Sequence, residues 1–140
     1  MRWYFLQHSQ TMPATAFRQS RLLRVVCFVQ GLYFTATGAW PLVHLKSFMA
    51  VTGYKLDQWL VKTVGVLILV VGLVLLSAAR SRRISPEILG LAVGCALGLT
   101  AIDGYYVLIE RIRDIYLLDA LAEVALVVAW VVAWASAKRS

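Results

Sequence analysis

At 140 residues the chain has room for one domain. A hydrophobic fraction of 61% and a mean hydropathy of +0.75 are more than a soluble core of this size can hide, which argues against a soluble helical fold. The formal net charge of +7 does not mark a nucleic-acid binder, because the basic residues cluster at the ends of apolar spans rather than along one face.

Residues 1–21 are polar and carry Pro13, so they read as a loose cytoplasmic tail with Trp3, Tyr4 and Phe5 available to touch an interface. Met12 is an alternative start to Met1. The first apolar span is 22–40, and Pro41 removes the backbone donor that would continue it. In 41–52, Leu42, Leu45 and Met49 recur at i, i+3 and i+7. That spacing predicts a short amphipathic helix in the membrane interface, closed by Gly53.

The second span, 58–79, is rich in Val, Leu and Ile; its length decides for a helix rather than a strand. A basic turn follows, with Ser85 as N-cap and Pro86 in the first helical turn of the third span, 87–109. The fourth span is 116–136, and 137–140 is a short basic tail. The expected fold is all-α: an integral membrane four-helix bundle, occupying 22–136, with an interfacial helix between its first two spans. Short connections make neighbouring helices antiparallel.

Counting Lys and Arg sets the orientation. Arg2, Arg18, Arg21, Arg24, Arg80, Arg82, Arg83, Lys138 and Arg139 fall on the side of both termini; Lys46, Lys55, Lys62, Arg111 and Arg113 fall on the other. Both termini are therefore expected in the cytoplasm of a bacterium, with the protein in its inner membrane. Trp40, Trp59, Tyr105, Tyr106 and Tyr116 mark the outer interface, and Trp130 and Trp134 the inner one. Cys27 and Cys95 stand alone in apolar helices and read as small buried hydrophobes.

Charge inside the spans is the functional signal. At 1.5 Å per residue, Lys62 and Asp119 lie about one turn below the outer end of their helices and Asp103 and Glu123 about two. An ionised group near the bilayer centre costs roughly 2.5–3.5 kcal/mol, and less at this depth, so pairing or neutralisation is expected. Asp119 and Glu123, four apart, share a face and repel unless a cation or a proton lies between them. The expected layer is Lys62, Asp103, Asp119 and Glu123, facing inward, with a hydroxyl from Tyr105, Tyr106 or Thr100 nearby and His44 and Lys46 as reserve cations. It reads either as a ligand pocket open to the outer side or as an ion-pair layer that fixes helix register.

Gly90, Gly94 and Gly98 form a ridge of small residues on the third span. At 100° per residue Asp103 lies 180° from Gly94, so inward acids turn the ridge toward lipid or a second chain. The opposing reading packs the ridge on the first or second span. Neither a metal site nor a cofactor site is expected, and no nucleophile–base pair or phosphate loop is visible.

Arg21 and Arg24 ahead of a glycine-containing first span, an amphipathic connection, and then TVGVLILVVGLVLLS resemble the small bacterial four-helix membrane proteins grouped as DoxX-like. The resemblance covers the first two spans and implies a four-helix membrane fold; some such proteins are associated with quinol-oxidising complexes or thiol metabolism. No functional residue transfers by it. Three functions fit the residues: binding or transport of a small cationic or amphiphilic ligand at the acidic layer, an accessory subunit or homo-oligomer assembled through the glycine ridge, and a membrane isomerase pairing a carboxylic acid with Lys62.

Overall fold

A computed structural model describes residues 21–82 and 84–139. The N-terminal tail expected at 1–21 lies outside them but for Arg21. Five helices follow in order: α1 (Arg21–Val43), α2 (Leu45–Thr52), α3 (Gln58–Arg80), α4 (Pro86–Leu108) and α5 (Ile115–Arg139). Among the described residues there is no strand. The four long helices are each long and apolar enough to cross a membrane.

Pro41 does not end α1, which runs on to Val43. So close to the helix end its missing N–H costs a single ladder bond, and the buried ring packs where a Cβ on Gly65 would sit, 3.0 Å from Pro41 Cγ. The break falls at His44, whose Nδ1 accepts from the Ser47 N–H at 3.2 Å and so caps α2. Trp40 Nε1 donates to Ser47 Oγ at 2.9 Å across the same corner. Gly53 closes α2 with φ 94°, its N–H returning to the Met49 carbonyl.

Ser85 caps α4, accepting from the Ile88 N–H, with Pro86 in the first turn. At the other end α5 absorbs the expected basic tail through Arg139. Lys138 folds back 3.6 Å over the Trp134 ring, and basic residues suit a helix C-terminus.

Around the bundle the helices are ordered α3, α1, α5, α4. The α1–α3 pair is the tightest. Gly31 faces Gly72, and Gly38 faces Gly65, so closely that an added Cβ on Gly38 would lie 2.5 Å from the Leu69 backbone and 2.7 Å from the Gly65 carbonyl. Each pair is seven residues apart on its own helix, two turns of one face. The glycines let the backbones meet, and dispersion between the closely packed atoms is the attraction. The other long contact is α4 against α5, where Ala92, Ala96, Ala120 and Ala133 are buried.

The core between the two pairs holds Cys27, Phe34, Leu75 and Trp130. Trp130 is therefore not an interfacial marker: it is 1% exposed. Its Nε1 donates to Gln30 Oε1 at 2.6 Å, and Gln30 Nε2 donates to the Ala92 carbonyl at 2.9 Å. A single amide thus ties α1 to α4 and α5 with its oxygen and nitrogen both satisfied.

Candidate functional site

Asp103 of α4 and Asp119 and Glu123 of α5 come together, as expected from their depth. Asp103 is five residues before the end of α4 and Glu123 eight after the start of α5, so both sit about 8–12 Å inside the helix ends. The α4–α5 connection is what brings these two depths level. A left-handed turn at Glu110, φ 55°, ends α4 by returning the Glu110 and Arg111 N–H groups to the carbonyls of Val107 and Tyr106.

Burial grades across the cluster. Glu123 is 1% exposed and Asp103 7%, while Asp119 is half-buried. The three carboxyls lie near enough for their charges to interact: Asp103 with Asp119, and Glu123 with both. The Tyr33 hydroxyl of α1 donates to Asp119 Oδ1. Among the described residues Glu123 Oε2 and Asp103 Oδ2 have no hydrogen-bond partner. Buried carboxyl oxygens are normally satisfied, and each exception calls for a reason.

The cations expected to neutralise this layer are elsewhere. Lys62 is exposed on α3, because α3 packs on α1 and only lightly on α4, with the acids beyond. Among the described residues no ion pair forms between Lys62 and a carboxylate, so the acid–base pair of the isomerase reading is not assembled. His44 is exposed and is spent as the α2 cap. Tyr106 is 44% exposed and stacks edge-on against Tyr105, outside the cluster. Thr100 returns its hydroxyl to the Ala96 carbonyl of its own helix.

Two further basic residues at this end are occupied by α2. Arg113 Nη1 donates to the carbonyls of Ala50 at 3.2 Å and Val51 at 3.4 Å. Lys55 Nζ donates to the Thr52 carbonyl at 3.3 Å and lies 5.0 Å over the Tyr116 ring of α5. The last carbonyls of α2 thus hold a guanidinium that would otherwise be free to turn toward the acids.

Sequence reasoning missed Tyr33. The signal for Tyr33 was its place near the middle of α1, but a tyrosine in an apolar helix has many ways to be satisfied. With Tyr33 in place of Lys62, the site is three carboxyls and one phenol, drawn from α1, α4 and α5, with no cation among the described residues. Three ionised carboxylates so arranged repel; a shared proton or an incoming cation removes the repulsion. Among the described residues no group of His, Cys, Asp and Glu is spaced to close on a metal ion.

Among the described residues nothing packs against the glycine ridge of α4. A Cβ on Gly90, Gly94 or Gly98 would meet no atom within 4 Å, and all three are exposed. The reading that packs the ridge on the first or second span is overturned, because α3 and α1 use their glycines on each other. No family model, no curated protein and no solved structure matches the chain.

Proposed function

We propose that the chain is a multi-pass protein of the bacterial inner membrane, with both termini in the cytoplasm, that binds a small cationic or amphiphilic molecule at the Asp103–Asp119–Glu123 layer near its outer face. The bilayer part is supported by where the apolar side chains lie. Val29 and Leu32 on α1, Leu67 and Val70 on α3, Leu97 on α4 and Leu121 and Val131 on α5 are each half exposed or more, a distribution that suits lipid and not water. The nine-to-five distribution of basic residues supports the orientation. The seven-residue glycine spacing of the second span, on which the DoxX-like resemblance partly rests, is one half of the α1–α3 seam, and that family's four-helix membrane architecture is compatible with this one.

The observation that carries the ligand reading is the fully buried, unpartnered Oε2 of Glu123 beside the unpartnered Oδ2 of Asp103. A layer serving only to fix helix register would close these oxygens on a cation of the chain. Native mass spectrometry of the protein released from its own membranes in mild detergent tests the reading. The expected result is a bound small-molecule mass on the wild type that is absent from Glu123→Gln; the same mass on both proteins, or on neither, overturns it.

A second reading is favoured by the open ridge of Gly90, Gly94 and Gly98: an accessory subunit or homo-oligomer in which another helix lies along α4. It predicts that Gly94→Leu releases a dimer or a foreign polypeptide in the same spectra, and that Glu123→Gln does not.

A further inference from the structure

The α1–α3 seam repeats every seven residues, with Gly38 opposite Gly65 and Gly31 opposite Gly72. One repeat further toward the other end of the bundle, α1 places Arg24 where a glycine would continue the series, and α3 places Ala79. A small residue still faces the seam from α3, but the long side chain on α1 cannot enter it. The seam therefore opens there into a groove of about 230 Å³ lined by Arg24, Val25 and Phe28 of α1 and Ala79 and Arg80 of α3.

The two ends of this groove differ in chemistry. Arg24 and Arg80 supply two guanidinium groups, and among the described residues neither forms an ion pair. The only acid at this end, Glu87, is on α4 and does not line the groove. Val25 and Phe28 continue the groove along α1 as an apolar wall, 50% and 47% exposed. A volume below the roughly 300 Å³ at which small-molecule pockets begin holds part of a molecule whose remainder lies outside. Two cations at the mouth, an apolar wall beyond and a small volume suit a phosphate with a hydrocarbon chain attached.

We propose that the groove where α1 begins and α3 ends binds an anionic phospholipid, its phosphate bridged by Arg24 and Arg80 and the first methylenes of an acyl chain lying on Val25 and Phe28. Guanidinium groups are matched to phosphate oxygens by their paired N–H geometry, and basic recesses between membrane helices on the cytoplasmic side select anionic headgroups. The inference rests on the bilayer part of the proposed function and not on the carboxyl layer, which lies at the opposite end of the helices.

The test is titration of the purified, delipidated full chain in mild detergent with dioleoylphosphatidylglycerol or dioleoylphosphatidylcholine, read by native mass spectrometry. The wild type is expected to retain the anionic lipid at least about ten-fold more tightly than the zwitterionic one. Arg24→Gln with Arg80→Gln should lose that preference, Arg24→Lys with Arg80→Lys should keep only the part due to charge and lose the part due to paired N–H geometry, and Arg139→Gln, which removes an exposed charge from the same end, should be without effect. Arg80→Gln alone, at an exposed position, guards against misfolding of the double variant and should weaken the preference by itself. Equal retention of the two lipids, or a loss as large in Arg139→Gln as in the double variant, overturns the proposal. Glu123→Gln should retain the lipid like wild type, which separates this site from the outer one, and sodium carbonate extraction of the membranes reports separately on whether the chain is integral.

Discussion

Glu123 and Gln30 are both fully buried polar residues in long apolar helices, yet their surroundings are opposite. Gln30 spends its oxygen on Trp130 and its amide on the Ala92 carbonyl, so removing it strands a buried N–H. Gln30→Met is expected to destabilise the protein by about 1–3 kcal/mol, read as a fall in the detergent unfolding midpoint. Trp130→Phe should cost a similar amount by stranding Gln30 Oε1. Because the two variants break one bond from its two ends, the double variant should cost less than the sum, and strict additivity would show that the bond contributes nothing. Glu123 is the reverse case: its Oε2 has no partner to lose and its neighbours are acids. In protein stripped of bound small molecules, Glu123→Gln removes one like charge and adds a donor that can reach a neighbouring carboxyl, so its midpoint should rise. In protein that retains its bound molecule the same change should lower the midpoint, because the variant loses the ligand that stabilises the fold. The sequence made Asp103 and Glu123 legible because a carboxyl in an apolar span has few explanations. It could not reveal Tyr33, whose ring belongs in such a span whatever its hydroxyl does, nor the distance of Lys62 from the acids, which depends on which helix α3 leans against.

At the level of helices, the same residue type has two uses. Gly31, Gly38, Gly65 and Gly72 are packed backbone to backbone, whereas Gly90, Gly94 and Gly98 face open space. Gly72→Ala would put a methyl 2.5 Å from the Thr35 N–H, and since the obstacle is backbone the helices must separate. A loss of about 1–3 kcal/mol is expected, as for overpacking in a tight core. Gly94→Ala meets nothing, and the higher helix propensity of alanine should leave the isolated chain unharmed or more stable by up to about 1 kcal/mol. Comparing the two midpoints checks this, and a marked loss from Gly94→Ala would show that the ridge is occupied in the protein as purified. The opposition of ridge and acids on α4 was legible from helical angles alone, since Asp103 is buried and Gly94 exposed. The extent of α1 was not. A proline in the last turn reads as a terminator, and only its fit against Gly65 shows why the helix tolerates it.

For the molecule as a whole, four helices long and apolar enough to cross a membrane were legible from hydropathy and length, and their order around the bundle was not. α3 is apolar on nearly every side, so no stripe on it says which neighbour it prefers; the paired glycines decide, and their partners are visible only in three dimensions. Orientation has the same character, because it depends on a sum over both ends rather than on any contact. It can be read on the two ends of α3, which are exposed at Leu56 and Ser81. With both termini cytoplasmic, a membrane-impermeant maleimide should label Leu56→Cys in spheroplasts and Ser81→Cys only after lysis. The native Cys27 is fully buried and Cys95 half-buried, so wild-type protein gives the background. The reverse pattern would invert both ends together. The carboxyl layer would then face the cytoplasm, and Arg24 and Arg80 would meet the outer leaflet.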